Sequence, residues 1–168
     1  MTNPNMTIQE TWKLLDSIYD PEVPVLSIVD LGIVRALAVD EKKHAVTVTI
    51  TPTYSGCPAM DVIRMQIRLV LLENGFRDVL IDTVLSPAWS TAWMSEAGKD
   101  KLKAYGIAPP NAMQQVCHTE LFQQEEAIEC PLCRSYNTRL ISQFGSTACK
   151  ALYQCNNCLE PFDYFKCH

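Results

Sequence analysis

The sequence predicts an α+β protein, in which a small mixed sheet has helices mainly on one face and is followed by a β-hairpin that binds metal. Before residue 106, hydrophobic residues recur at helical spacing in two stretches, and capping signals predict a third helix. Alternating or β-rich stretches between them predict strands, which gives the order αββαβα. Two CxxC pairs near the C-terminus have the spacing of a structural metal site. We therefore expect an α+β domain over 1–106, a linker over 107–129 and a four-cysteine ribbon over 130–168.

Composition limits the classes of function. With 168 residues, 48% of them hydrophobic, the chain can bury one moderate core and a small second module. Its short polar start and the lack of an apolar run of about 18 residues predict a cytoplasmic protein. Eight cysteines in that reducing compartment favour metal ligation or thiol chemistry over disulfides. A net charge of −5 offers no basic stripe, so we expect neither nucleic-acid nor membrane binding.

The first element is a helix that ends in an acidic turn. Thr7 and Glu10 have the spacing of a capping box, which predicts a helix from Thr7 to about Tyr19. Two prolines then disfavour helical backbone in the residues before them. Asp20 precedes the first proline, and Glu22 lies between the two. These acidic residues either form the turn or are ligands for a metal or a partner, and the composition of the segment favours the turn.

A β-hairpin follows. The run Ile33–Val39 predicts a strand, and the charged tip 40–43 predicts the turn. On the return strand, Val46, Val48 and Ile50 alternate with threonines, which is the pattern of a half-buried antiparallel strand. One face of this sheet should therefore lie on the core.

Three further elements complete the first domain. Apolar residues at helical spacing predict a second helix over 59–74, and 79–85 predicts a third strand. Ser90 fits the N-cap of a helix that runs to about Tyr105, with Trp89 and Met94 as a hydrophobic staple. We expect Trp89 and Trp93 to be core or interface aromatics and to take no part in the chemistry.

A lone cysteine stands where the return strand meets the second helix. If Pro58 is the first helical residue, Cys57 is the N-cap, and the unpaired N–H groups of the helix would stabilise its thiolate. The equally weighted alternative is a small packing residue, since unpaired cysteines are often buried.

The ribbon carries the most specific signal in the chain. Two CxxC pairs, separated by 21 residues, offer four thiolates to one ion: Cys130 with Cys133, and Cys155 with Cys158. A tetrahedral zinc site is favoured, and a rubredoxin-like iron or an iron–sulfur site is the alternative. A segment of this size needs the metal for much of its folding free energy.

The sequence around the two CxxC pairs predicts a hairpin in which each CxxC turn, or knuckle, departs from the usual pattern. Stretches 138–144 and 150–154 suit its strands, and the aromatic tail is either ribbon core, which is favoured, or a docking face. Arg134 and Leu159 stand where a glycine often follows the second cysteine, which predicts strain. The sequence assigns no role to four further potential metal donors: Cys117, Cys149, Cys167 and His168.

Several motifs together resemble the metal–sulfur cluster assembly factor family, which is associated with iron–sulfur cluster assembly. They are the segments Asp20–Val25, Val29–Gly32 and Thr51–Pro58. Three more segments resemble the branch of that family found with the phenylacetyl-CoA epoxidase of bacterial phenylacetate catabolism: Ser90–Gly98, Phe144–Ala151 and Glu160–Lys166. The resemblance covers nearly the whole chain.

This resemblance implies an accessory protein and not an enzyme. Its clients would be the reductase, which carries an iron–sulfur centre, or the di-iron oxygenase of the epoxidase system. The reactive cysteine of the family falls on Cys57, and the zinc ligands fall on the four ribbon cysteines. The alternative is a non-catalytic structural or adaptor subunit of the oxygenase.

One cysteine cannot hold a cluster, because clusters take about four protein ligands. Cys57 would therefore pair with its symmetry mate in a homodimer, or bind iron or a cluster transiently while the client supplies other ligands. Four neighbours would donate hydrogen bonds around the sulfur: Thr51, Thr53, Tyr54 and Ser55. A thiol enzyme has the least support, since the sequence places no histidine beside Cys57 as a base.

Overall fold

The structure is a computed structural model that describes residues 6–110 and 127–166. Its helices are α1 (Ile8–Asp16), α2 (Ala59–Glu73) and α3 (Glu96–Tyr105), with a 3₁₀ turn at Thr91–Trp93. Its strands are β1 (Val34–Asp40), β2 (Ala45–Ile50), β3 (Asp78–Thr83), β4 (Ile107–Ala108), β5 (Thr138–Ser142), β6 (Lys150–Cys155) and β7 (Pro161–Phe165). The chain divides into two compact units. The first comprises the residues up to Trp89 together with Trp93–Ser95, and the second comprises Ser90–Ala92 together with the residues from Glu96 onward.

Helix α1 begins with the predicted capping box. The Thr7 hydroxyl accepts the Glu10 N–H at 3.3 Å, and the Glu10 carboxylate accepts the Thr7 N–H at 2.9 Å. These bonds satisfy two of the N–H groups that a helix start leaves unpaired. The helix ends at Asp16, one turn before the predicted end at Tyr19.

The first unit contains the predicted mixed sheet, in the order β1-β2-β3. Strand β2 pairs with β1 antiparallel and with β3 parallel, and the crossover from β2 to β3 contains α2. Val46, Val48 and Ile50 are buried, as their alternation predicts. The central strand therefore lies on the core.

Helix α2 runs where its periodicity predicts. One face is buried by a set of apolar side chains: Ala59, Met60, Ile63, Ile67 and Leu71. The helix ends at Glu73, and Gly75 follows with φ 105°, a conformation that glycine adopts without strain.

The predicted helix from Ser90 to Tyr105 is wrong in its first half. The chain instead makes the 3₁₀ turn, and α3 begins only at Glu96. The cause is a long-range contact: the Ser95 N–H donates to the Asp30 carbonyl at 2.9 Å, and the Ser95 hydroxyl donates to the Asp30 carboxylate at 2.8 Å. The core role of Trp89 is confirmed, since it is buried and its Nε1 donates to the Leu31 carbonyl at 2.8 Å.

The second unit contains a four-stranded sheet in the order β4-β7-β6-β5. The predicted hairpin is β5 and β6, which pair antiparallel. Two strands were not predicted: β7 from the aromatic tail, and β4 from the segment assigned to the linker. Phe162, Tyr164 and Phe165 are buried, which confirms that the tail is ribbon core.

The division at residues 106 and 129 stays a prediction. In the structure, α3 is grouped with the second unit. Three of the potential donors to which the sequence assigns no role lie outside the described residues: Cys117, Cys167 and His168. His118 lies outside them as well. Within 6–110 and 127–166, no helix is long and apolar enough to cross a membrane.

Candidate functional site

Cys57 lies in the loop that joins β2 to α2. The hydrogen bonding of β2 continues for one residue beyond the strand, because the buried Thr51 donates its N–H to the Ile33 carbonyl at 2.9 Å. The loop then turns at Gly56, with φ 83°, and the Cys57 N–H donates to the Tyr54 carbonyl at 3.3 Å. The thiol is thus held on a short, hydrogen-bonded connection, and its residue is half-buried.

The prediction that Cys57 caps α2 is wrong by one position. Pro58 is the N-cap, with helical φ −67° and ψ −24°, and it has no side chain that could accept a hydrogen bond. Cys57 precedes it, yet its sulfur still accepts a hydrogen bond from the Ala59 N–H. The thiol therefore hydrogen-bonds to the first turn of α2 although its residue precedes the N-cap.

The predicted stabilisation of the Cys57 thiolate by a helix N–H group is present but is outweighed by burial. Burial raises the pKa of the Cys57 thiol above its ordinary value, and hydrogen bonds from the Ala59 N–H and the Tyr54 side chain lower it by less. The charges of Glu22 and Asp20 raise this pKa further. Near neutral pH the free side chain is therefore a neutral thiol on which the charges of two carboxylates act.

Those carboxylates belong to the acidic turn after α1. The Asp20 carboxylate accepts the N–H groups of Glu22 at 2.7 Å and Val23 at 2.9 Å, which confirms the turn-forming role. The same turn brings both negative charges close enough to act on Cys57. Sequence reasoning weighed the turn and the cysteine separately and missed this proximity. The available signal was that both segments belong to the motifs that carry the family resemblance.

The four predicted neighbours of the sulfur differ in their environment. Thr51 is buried within the sheet extension, Thr53 and Tyr54 are half-buried, and Ser55 is exposed. Of these, Tyr54 has a side chain that hydrogen-bonds to the thiol. The contribution of the others to a bound cargo stays a prediction.

This arrangement suits metal binding better than nucleophilic catalysis. A raised pKa keeps the thiolate scarce, whereas a soft cation displaces the thiol proton and is attracted by the nearby carboxylates. His44, the one histidine in the described ranges, lies in the β1–β2 turn, at the opposite end of β2 from the Cys57 loop. In the part of the chain that the structure describes, the ribbon cysteines are the only group of three or more potential metal ligands.

The ribbon brings its four cysteines together as predicted. All four sulfurs lie within 4.8 Å of one another, with Sγ–Sγ distances of 3.8 Å between Cys130 and Cys158 and 3.5 Å between Cys133 and Cys155. A tetrahedral zinc site with Zn–S bonds of about 2.3 Å has edges of about 3.8 Å. The donor set and its spacing therefore fit zinc.

Backbone N–H groups support the thiolates. The N–H groups of Asn157 and Cys158 donate to the Cys155 sulfur at 3.4 and 3.5 Å. These bonds, led by that of Cys158, lower the pKa of Cys155 to about 6. The Glu160 N–H lowers the pKa of Cys158, but burial and the three neighbouring sulfurs raise it to about 12. Four thiols this close cannot all ionise without a cation among them.

The predicted strain in both knuckles is confirmed. Arg134 has φ 62° and Leu159 has φ 66°, in the left-handed region that glycine adopts easily. On the first knuckle, the Arg134 N–H donates to the Cys130 carbonyl at 2.9 Å. The turn geometry is thus kept although neither position is a glycine.

The ribbon also has a small core of its own. The cluster contains two of the metal ligands and residues from several strands: Ala108, Ile128, Cys130, Ala151, Cys155, Phe162 and Tyr164. Tyr153 packs against it, stacked on Phe162 with ring centroids 6.0 Å apart. The metal site and the hydrophobic core of the ribbon therefore share two residues, Cys130 and Cys155.

Comparisons with known proteins match both halves of the chain. A family model described as "Iron-sulfur cluster assembly protein" matches residues 8–74, and one described as "PaaD zinc beta ribbon domain" matches 114–166. A component of the "Putative 1,2-phenylacetyl-CoA epoxidase" of Escherichia coli is 48% identical over 95% of this chain and 93% of its own length. A Porphyromonas gingivalis protein named "Fe-S protein maturation auxiliary factor" is 37% identical over 54% of this chain and 85% of its own.

The fold of the first half is also known from a solved structure. The domain of unknown function DUF59 from Bacillus anthracis covers 56% of this chain and 89% of its own, with a TM-score of 0.51 and 28% identity. This agreement confirms the predicted α+β fold.

Proposed function

The chain belongs to the iron–sulfur cluster assembly family, in the branch that carries a PaaD zinc ribbon, and from this premise we propose that it is a maturation factor of a phenylacetyl-CoA epoxidase system. Its cargo is iron or an iron–sulfur cluster, and its clients are the reductase or the di-iron oxygenase of that system. The named maturation factors among its relatives support an accessory role.

The environment of Cys57 is the observation that carries this proposal. Cys57 is a half-buried thiol with a raised pKa, and the negative charges of Asp20 and Glu22 act on it. These charges attract a cation, whose binding to the sulfur releases the thiol proton. As a single soft ligand, Cys57 holds the cargo loosely, and client cysteines can displace it. The Tyr54 hydrogen bond orients the sulfur during this exchange.

The ribbon has a separate, resident role in this proposal. Zinc bound by the four cysteines stabilises the second unit, because its core includes Cys130 and Cys155. This closed site leaves no open position for cargo. Metal analysis of the purified protein should therefore find one zinc per chain.

A Cys57→Ser strain tests the role of the thiol. We expect its reductase to be purified with less iron and less acid-labile sulfide, while the factor itself keeps its fold and its zinc. The matched control is Cys149→Ser. Cys149 is buried, shares a hydrogen bond with the Thr147 hydroxyl and is not one of the four cysteines of the metal site. A fully loaded reductase and oxygenase from the Cys57→Ser strain would contradict the proposal.

The second candidate is a non-catalytic adaptor subunit of the oxygenase. Two exposed leucines, Leu132 and Leu159, flank the metal ligands on the two knuckles and favour a protein contact there. A maturation factor is needed only in small amounts and is dispensable once clients are loaded. Stable one-to-one copurification with the loaded oxygenase would therefore favour the adaptor.

A further inference from the structure

Helix α2 has a second apolar stripe on the face opposite the core. Its residues follow one another at spacings of three, four and three: Val62, Met65, Leu69 and Leu72, whose exposed fractions are 39, 56, 50 and 42%. At 3.6 residues per turn, this stripe lies roughly 170° from the buried face of the same helix. A surface helix normally carries polar residues there.

The spacing is that of a coiled-coil seam. Val62 and Leu69 fall on the a positions of a heptad, and Met65 and Leu72 fall on the d positions. The exposed Pro58 continues the d positions by one step toward the helix start. A contiguous apolar stripe of this kind indicates a protein interaction site.

The flanking residues indicate which occupant fits the stripe. Asp61 and Arg68 occupy the g positions, and Gln66 and Glu73 occupy the e positions. In a parallel pair of identical helices, Arg68 faces Glu73 of the second copy, and the contact occurs twice by symmetry. In an antiparallel pair, Arg68 would face Arg68 of the second copy, and the like charges would repel.

Both of these charged groups are available for that contact. Among the described residues, neither Arg68 nor Glu73 forms an ion pair within its own chain. The charge pattern thus complements a second copy in one orientation only.

We infer that the outer face of α2 is the interface of a parallel homodimer. Since α2 begins directly after the Cys57 loop, this orientation places the two Cys57 residues at the same end of the interface. That the two thiols serve one cargo rests on the proposed function, whereas the dimer itself does not. Two thiols at one end would double the number of exchangeable ligands.

The dimer should be weak without cargo. Four half-exposed side chains cover much less than the roughly 800 Å² per partner of a typical stable interface, so we expect a dissociation constant in the micromolar range or above. A cargo that binds both thiols would shift this equilibrium toward the dimer by mass action.

Sedimentation velocity of the full chain over a range of concentrations tests the interface. We expect a monomer–dimer equilibrium that Leu69→Glu abolishes, because the substitution places a charge in the centre of the seam. The control is Leu80→Glu, an exposed leucine on β3, which should leave the equilibrium unchanged. A chain that is monomeric at every concentration, or a dimer indifferent to Leu69→Glu, would overturn the inference.

Charge exchange tests the orientation. Arg68→Glu or Glu73→Arg alone creates like-charged pairs across a parallel dimer and should raise its dissociation constant roughly tenfold. The double variant restores opposite charges and should return it to the original value. Single variants without effect, or a double variant weaker than either, would exclude the parallel arrangement.

The outcome can be separated from that of the proposed function. Cys57→Ser should leave the dissociation constant of the metal-free dimer unchanged, because Cys57 lies outside the seam, and a large change would count against the interface. A monomeric protein whose Cys57→Ser strain still yields an underloaded reductase would overturn the dimer alone.

Discussion

Arg134 and Leu159 are structural equivalents: each directly follows the second cysteine of a CxxC pair, and each holds a left-handed backbone, with φ 62° and 66°. L-residues other than glycine pay roughly 1–2 kcal/mol for this conformation. Both knuckles of the ribbon therefore carry the same local strain, in positions that hold the metal ligands.

Replacing either residue by glycine should relieve this strain. We expect Arg134→Gly and Leu159→Gly each to stabilise the ribbon by about 1 kcal/mol, after the greater flexibility of glycine in the unfolded chain is subtracted. Because folding and metal binding are coupled, the zinc dissociation constant should fall by about fivefold. Competition with a chelator measures it. The control is Leu132→Gly in the first knuckle, where φ is not positive, and an equal gain there would refute the explanation.

Removal of one ribbon ligand should empty the metal site and unfold the ribbon core. Cys155→Ser removes a buried ligand that is also a member of the core, so we expect loss of bound zinc and loss of amide protection in β5, β6 and β7. Metal analysis and hydrogen exchange measure both effects. Cys149→Ser should keep one zinc per chain, and zinc retained by Cys155→Ser would argue against four-cysteine ligation.

The negative charges of Glu22 and Asp20 should slow the alkylation of Cys57. Negative charge disfavours the thiolate, so Glu22→Gln should lower the pKa of Cys57 and speed its reaction with iodoacetamide at pH 8. The rate is followed by mass spectrometry of the Cys57 peptide. Glu73→Gln, at the far end of α2, should have no such effect. An unchanged or slower rate in Glu22→Gln would show that the charge does not act on the thiol.

Gly32 should not tolerate a side chain. It has φ 68°, and a Cβ atom there would clash with the Trp93 carbonyl oxygen and lie 2.8 Å from the Trp93 Cβ. Backbone strain and this clash together predict that Gly32→Ala destabilises the first unit by at least about 2 kcal/mol in denaturant unfolding. At Gly56, with φ 83° but open space around it, alanine should cost only about 1 kcal/mol. Equal losses would exclude the clash with Trp93.

Elements with local signals could be predicted from the sequence. The capping box of Thr7 and Glu10, the alternation in β2 and the periodicity of α2 each depend on residues a few positions apart. The four-cysteine site also followed from spacing alone, because a knuckle fixes its two ligands locally and the hairpin brings the pairs together.

Elements that depend on contacts between distant residues could not be predicted from the sequence. The break before α3 depends on the hydrogen bonds from Ser95 to Asp30, 65 residues earlier in the chain. The sign of the Cys57 pKa shift depends on burial and on a turn that local reasoning cannot place beside it. Strand β4 forms because Ile107 and Ala108 find a partner in β7, far along the chain.

Strand β4 also determines where the chain can be cut. Ile107 pairs with Asp163 and Ala108 with Tyr164, and in the same unit Lys103 of α3 forms an ion pair with Glu129 at 3.1 Å. A fragment that starts at 107 or later would lose the helix, and one that starts at 109 would also expose an unpaired edge on β7. A ribbon fragment intended for expression or crystallisation should therefore begin at or before Glu96, and limited proteolysis between α3 and β4 should be slow.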